Sequence, residues 1–512
     1  MEAVVLLNSP FRILSTIVAL WSLTFLPGTV SGQTCLSEDF ETDPALSGWT
    51  RSGFGAAWTG TEAASGTHAL SADTDVWSSP LLDTEPLRWY RLSFNIKAPG
   101  TVTNIGSDGY AYWSAVFYDG NGNLLNDDQY SSVFQSSGWV VNEFRIRAKQ
   151  RPGPNGTLLP ARLKVSFHPI GAQPLYIDDV LLESTTANEV AAWADAVYEG
   201  LPAQLAYIPK ANRWQRIPRT LEKLRTGQTL RIVMLGDSIQ CDTANAPIDA
   251  LLQRAYPGCR VELISSTKGG SGVSYFKNHV AEYVTDYLPD LLMIGGISNA
   301  DDMTEFQSVV DQVRDHDLAN ARTTEIMILT RAWSSNNNFG NYFLSPAMSE
   351  LDQDPAQNAA IPDDIRGHLL IFANANGIEY LDMTGIEAVF IYGPAAAAGV
   401  GSPASANGDP YSFWLRDWVH LNDRGKQILV REFEIYFAPP PALAIEKSEA
   451  GEVILSWPGY ATGYTLQSTS ALLPFTIWNP VNQNAALAGG RRRISFAISP
   501  GTSRQFFQLQ KP

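Results

Sequence analysis

The chain has 512 residues, with 36 Lys and Arg against 52 Asp and Glu, a net charge of −16. This acidic balance argues against nucleic acid or anionic membrane surfaces as partners. A hydrophobic content of 45% with 17% charged residues excludes a disordered chain, and the length allows several cores. Residues 1–32 read as a secretory signal. Arg12 precedes an apolar stretch from Ile13 to Leu26, and Val30-Ser31-Gly32 offers small residues at a cleavage point before Gln33. The expected product is secreted, extracellular or periplasmic; the alternative is an uncleaved anchor. The apolar run is short for a bilayer span and no other segment is long and apolar enough, so no integral membrane segment is expected after cleavage. Cys35, Cys241 and Cys259 are an odd set. The helix predicted between the last two spans roughly 18–20 Å, whereas a disulfide needs Cα atoms within about 7 Å. Both are expected to be free thiols.

Residues 36–185 read as all-β, with strand patterns at 89–98, 110–123, 138–148, 161–169 and 174–184 separated by turn signals. Six tryptophans, Trp49, Trp58, Trp77, Trp89, Trp113 and Trp139, are expected mainly in its core. The opening EDFE (38–41), the GTHAL (66–70) and the closing YIDDVLL (176–182) resemble galactose-binding-like jelly rolls, which include many carbohydrate-binding modules. That resemblance implies a sandwich of about eight strands with its first and last strands paired. It also implies a structural calcium near Glu38, Glu41, Asp178 and Asp179; otherwise these acids are solvated turn residues. Residues 186–229 read as an ordered linker, helical over 188–198 and then broken by Pro202, Pro209 and Pro218. A separable targeting sandwich follows from that reading.

Residues 230–438 alternate strand and helix patterns. Strands are predicted at 231–236, 260–266, 290–296, 325–331 and 378–385. This is a doubly wound α/β sheet, flavodoxin-like, of order 2-1-3-4-5. A polar insertion at 332–365 follows the fourth strand. Pro439-Pro440-Pro441 is a stiff linker. Residues 443–512 read as a small β-sandwich-like module, fibronectin-III-like.

The chemistry sits at the carboxyl ends of the predicted strands. Ile232 to Leu235 end at Gly236-Asp237-Ser238, and an apolar helical face begins near Asn245 with Ile248, Leu251, Leu252 and Ala255. Ser238 is thus placed between strand and helix, where ligands bind in open α/β sheets. A bland turn capped by Asp and Ser is the alternative. Gly269, Gly270 and Gly272 follow the second strand, and Gly295-Gly296-Ile297-Ser298-Asn299 the third. Of six histidines, only His420 has an aspartate, Asp417, three residues before it. A serine nucleophile needs such a base and a third group to orient it. Asp301 and Asp302 read as the first turn of the next helix.

With these blocks the chain resembles the SGNH (GDSL-type) hydrolases over about 230–438. The resemblance implies Ser238 as nucleophile, His420 as general base and then acid, and Asp417 as orienter. It implies an oxyanion hole from the N–H groups of Ser238 and Gly272 and a side chain of the third block. The family pattern there is Gly-x-Asn-Asp, so Ser298 stands in the asparagine's place and Asn299 one later. Asn299 is the preferred donor and Ser298 the alternative. No metal or cofactor is implied in catalysis. The expected activity is a carboxylic ester hydrolase removing O-acetyl or similar groups from polysaccharide. The alternatives are a lipid or small-ester hydrolase and a non-catalytic glycan-binding surface protein.

Overall fold

The computed structural model describes residues 32–99, 111–133, 136–149, 158–169, 174–296, 302–332, 344–400, 413–415, 419–449, 451–472, 476–497 and 505–511. The signal expected at 1–32 falls almost wholly outside them. They form two compact units, one of Thr34–Leu205 with Pro209–Phe437, the other of Ala206–Ile208 with Ala438–Pro512.

In the first unit the N-terminal strands make two antiparallel sheets. One runs Ser136–Arg147, Trp89–Ala98, Leu175–Thr185, Ala69–Ala72, Ala56–Thr59, with Thr34–Glu38 also on Leu175–Thr185. The other runs Thr50–Arg51, Trp77–Ser78, Arg162–His168, Ala111–Tyr118, Leu124–Val133, with Leu82–Asp83 also on Arg162–His168. The first and last strands pair, Leu36 opposite Leu182. Alternation decides which side chains face inward: Tyr90, Leu92, Phe94 and Ile96 of one sheet meet Leu163, Val165 and Phe167 of the other in one core. Trp49, Trp77, Trp89 and Trp113 are buried, while Trp58 is 36% exposed and stacks on His68.

The four acids expected near a calcium make contacts within the protein. The buried Asp178 carboxylate accepts the Ala64 and Ser65 N–H groups at 2.8 and 3.1 Å. Asp179 accepts Ser65 Oγ and Asn95 Nδ2. Glu41 accepts the Thr67 and His68 N–H groups, which hold its pKa at about 2. Glu38 stays in its strand, opposite Val180. These acids fasten a loop, and among the described residues no group of three His, Cys, Asp or Glu could hold a metal.

His168 lies flat against Tyr112, with ring centroids 4.2 Å apart, and its Nε2 is 2.8 Å from Ser114 Oγ. Burial disfavours its charged form and depresses its pKa from 6.5 to about 4. The unfolded chain therefore takes up this proton first as pH falls. The stability His168 contributes is complete above pH 6.5 and is lost toward pH 4. Urea midpoints measured between pH 7 and 5 should fall with acidification, and His168→Gln should flatten that slope. An unchanged slope would assign it to other groups.

The central domain is a parallel sheet of β1 (Leu230–Gly236), β2 (Val261–Thr267), β3 (Leu291–Ile294), β4 (Glu325–Leu329) and β5 (Glu379–Leu381). Its order is β2-β1-β3-β4-β5, the expected 2-1-3-4-5. β3 and β4 are buried along their whole length, as continuous apolar strands covered on both faces must be. The segment before it holds α1 (Ala187–Glu199), closed by a Thr186–Glu189 capping box, and a helix at Pro218–Thr226. Pro218 therefore starts a helix, where its missing N–H costs nothing.

After β1 the structure departs from expectation. α2 (Ser238–Asn245) begins at the serine itself, and α3 (Ile248–Ala255) follows after Ala246-Pro247. The helix was hidden because SIQCDTAN has no apolar stripe; it buries Gln240, Asp242 and Thr243. α4 (Val273–Phe276), α5 (Met303–Ala319), α6 (Ile365–Ala375) and α7 (Asp423–Phe437) complete the helices used below. Among the described residues no helix is long and apolar enough to cross a membrane.

The sandwich is not a detached module. It shares the compact unit with the α/β domain. Arg147 of the sandwich pairs with Asp249 in the first turn of α3, and both side chains are buried. Trp89 Nε1 donates to the same carboxylate at 3.2 Å, and Trp89 packs with Val190 and Ala250. Asp195 of α1 meets Arg431 of α7 at 2.9 Å and also pairs with Arg254 of α3. These largely buried charges are the joint between the layers.

The second unit has a four-stranded antiparallel sheet, Ala444–Lys447, Val453–Pro458, Arg491–Phe496, Ala486–Ala488. A three-stranded one runs Asn479–Pro480, Thr465–Thr469, Phe506–Gln510. Leu455, Trp457, Leu466, Ile494 and Phe507 form its core.

Candidate active site

Ser238 is the first residue of α2, at the carboxyl end of β1. Asp237 is the N-cap. Its side chain accepts the Ile239 N–H at 2.9 Å and is buried. The Asp of the Gly-Asp-Ser tripeptide thus sets the helix start, and the serine hydroxyl stands where unpaired N–H groups favour negative charge.

Bare backbone lies beneath this turn. A Cβ on Gly236 would fall 1.9 Å from the Gly295 carbonyl. Gly296 has φ +66°, and a Cβ there would fall 2.4 Å from the Gln240 nitrogen. Glycine is required on both counts. The second block continues the sheet edge, as Lys268 N–H donates to the Gly236 carbonyl at 3.0 Å. Gly269 comes beside the nucleophile, where an added Cβ would lie 3.8 Å from Ser238 Cβ. Gly272 is the N-cap of α4.

His420 arrives from 182 residues away, and its Nε2 stands 2.9 Å from Ser238 Oγ. The loop that carries it is held by Asn422, which sequence reasoning passed over. The Asn422 amide donates to the Phe413 and Leu415 carbonyls at 3.0 and 3.3 Å. Its oxygen accepts the Arg424 and Gly425 N–H groups at the start of α7. Asn422 is buried. Its signal was present in the sequence, since Asn two residues after His420 and just ahead of an amphipathic run is an N-cap pattern. Lys426 of α7 lies 3.7 Å from Asp242 of α2, tying the helix after His420 to the helix that Ser238 opens.

Asp417, Ser298 and Asn299 lie outside the described residues, so Ser238 and His420 are the predicted catalytic residues that the structure joins. Asp302 caps α5 by accepting the Thr304 N–H at 2.9 Å. Cys35, Cys241 and Cys259 are not paired with one another in a disulfide. Cys241 is half-buried, one turn along α2, and takes a contact from Asn245 Nδ2 at 3.7 Å.

No protein-family model matches the chain, and no curated protein sequence matches it. Among solved structures, one similar to it is a two-domain esterase (CEX) active on acetylated mannans, co-crystallised with mannopentaose. The identity is 13% and the TM-score 0.31, over 62% of this chain and 88% of that one. The CBM22-1 xylan-binding domain from Paenibacillus barcinonensis Xyn10C is similar at 18% identity and TM-score 0.22, over 30% of this chain and 95% of that one. The enzymatically active domain of bacteriophage CBA120 tailspike protein 4 is similar at 15% identity and TM-score 0.21, over 29% of this chain. The match spans only 20% of that chain's length. The present chain is a multidomain protein with an N-terminal antiparallel β-sandwich, a central five-stranded parallel α/β domain and small C-terminal antiparallel sheets.

Proposed function

We propose that this chain is an exported serine esterase of the SGNH type that removes O-acetyl or similar small acyl groups from polysaccharide. The observation that carries the reading is the 2.9 Å approach of His420 Nε2 to Ser238 Oγ at the N-terminus of α2. A hydroxyl at that distance from an imidazole can lose its proton as it attacks.

Ser238 Oγ adds to the ester carbonyl carbon while His420 Nε2 takes the hydroxyl proton. The oxyanion is held by the N–H groups of Ser238 and Gly272 and by the third block. Collapse of the adduct breaks the bond to the sugar oxygen, which leaves with the proton from His420. A water molecule then gives its proton to His420 and attacks the acyl-enzyme, and the freed Ser238 takes that proton back. Asp417 holds the other ring nitrogen of His420 through both halves. The polysaccharide assignment rests on the resemblance of the sandwich to sugar-binding jelly rolls. Acetate release from a panel of acetylated glycans, with Ser238→Ala as control, tests it. Release confined to simple esters would remove the polysaccharide.

The third-block donor is assigned to Asn299. A donor used only in the transition state lowers turnover when removed and leaves binding nearly unchanged. Asn299→Ala should cut kcat about 100-fold and Ser298→Ala about tenfold or less, with KM little changed. The reverse ranking would give the role to Ser298. No effect from either would leave the two backbone donors alone.

A further inference from the structure

The sandwich reaches the nucleophile helix through one lysine. Lys149 lies two residues beyond the strand Ser136–Arg147 and is 2% exposed. Its backbone neighbour is fixed on both sides: Ala148 N–H donates to the Arg88 carbonyl at 2.9 Å, and the Ala148 carbonyl accepts from Leu87 N–H at 2.6 Å. From this anchor Lys149 Nζ donates to the Ala244 carbonyl at 2.6 Å and to Asn245 Oδ1. Ala244 and Asn245 are the last two residues of α2, and Ser238 is the first. The last carbonyls of a helix lack partners within it and carry its negative end. A buried ammonium there satisfies a carbonyl and opposes the dipole.

We infer that Lys149 is a positioning residue for Ser238, and that the sandwich thereby forms part of the catalytic body. α2 has only eight residues, about 12 Å of helix, so fraying at its far end reaches the serine within two turns. The inference rests on the esterase reading only for its effect on rate.

The test uses the full chain with Lys149→Met, which keeps the length of the side chain and removes its charge and donors. Hydrogen exchange of the peptide covering 238–246 should speed up about tenfold, the scale of one lost charge-assisted hydrogen bond. Phosphonylation of Ser238 by a fluorophosphonate, and kcat on p-nitrophenyl acetate, should fall about as much, with KM unchanged. Lys97→Met, which removes a sandwich lysine bridged to Glu62 at 2.8 Å, should leave all three at wild-type values. If Lys149→Met does not fold, Asn245→Ala removes one of the two acceptors and should give a smaller shift in the same direction. Unchanged exchange in whichever of these two variants folds would overturn the inference, as would faster exchange with unaltered Ser238 reactivity. If the wild-type chain is not phosphonylated at all, the esterase reading falls, and the exchange result alone judges the contact.

Discussion

Ser238→Ala is expected to bring turnover of p-nitrophenyl acetate to near background, a loss of about four orders of magnitude or more. In the proposed mechanism the hydroxyl, 2.9 Å from His420 Nε2, is the atom that forms the acyl bond. His420→Ala should cost about as much. Nucleophile and base act as a unit, so removing either removes both contributions. Asp417→Ala should be milder, because it orients the base without exchanging protons itself. The serine is half-buried at the start of a helix, so its loss should leave circular dichroism and the melting temperature nearly unchanged. Full activity in folded Ser238→Ala would overturn the nucleophile assignment. Normal turnover in His420→Ala would move the base elsewhere.

Asp249→Ala is expected to destabilise the first unit by about 3–5 kcal/mol. Arg147 and Trp89 Nε1 both turn to that carboxylate inside the joint between sandwich and α/β domain. Removing it strands a buried guanidinium, which costs far more than losing a surface pair. Urea denaturation followed by tryptophan fluorescence would read the change. A shift below about 1 kcal/mol would mean that water reaches the pair. Truncation of the sandwich strips Arg147 and Trp89 from α3 together, so the shortened chain should fail to fold rather than keep its action on small esters.

The parallel sheet was legible from short apolar runs such as Ile232 to Leu235, Leu291 to Ile294 and Ile326 to Leu329, the pattern that burial on both faces favours. Ser238 and His420 were legible as well, because a strand end and a helix start are marked by Gly236 and by the amphipathic run after Asn422. The first helix after the nucleophile was not. It starts at the Asp237 cap and buries the polar side chains of Gln240 and Asp242, and neither leaves an apolar period. The joint was misread for a related reason. In FRIRAKQ the alternating Arg145, Arg147 and Lys149 look like an ordinary solvated strand face. Only the arrival of Asp249 and the end of α2 makes two of them interior. For Asp178 and Asp179 the jelly-roll resemblance suggested a calcium, whereas in the structure Asp178 turns to backbone N–H groups and Asp179 to Ser65 and Asn95.

Gly236, Gly295 and Gly296 have a bearing on how the site tolerates change over generations. The turn carrying Ser238 lies so close to the Gly295 carbonyl and the Gln240 main-chain nitrogen that neither Gly236 nor Gly296 could carry a Cβ. Its height above the sheet is therefore a datum set by atoms that every sequence shares. Leu292, Ile294 and Ile328 in the core beneath can drift among similar volumes without retuning the hydroxyl. One methyl group at position 236 or 296 would lift the nucleophile away from its base. Sequence divergence can then be wide in the core while the catalytic register stays where it is.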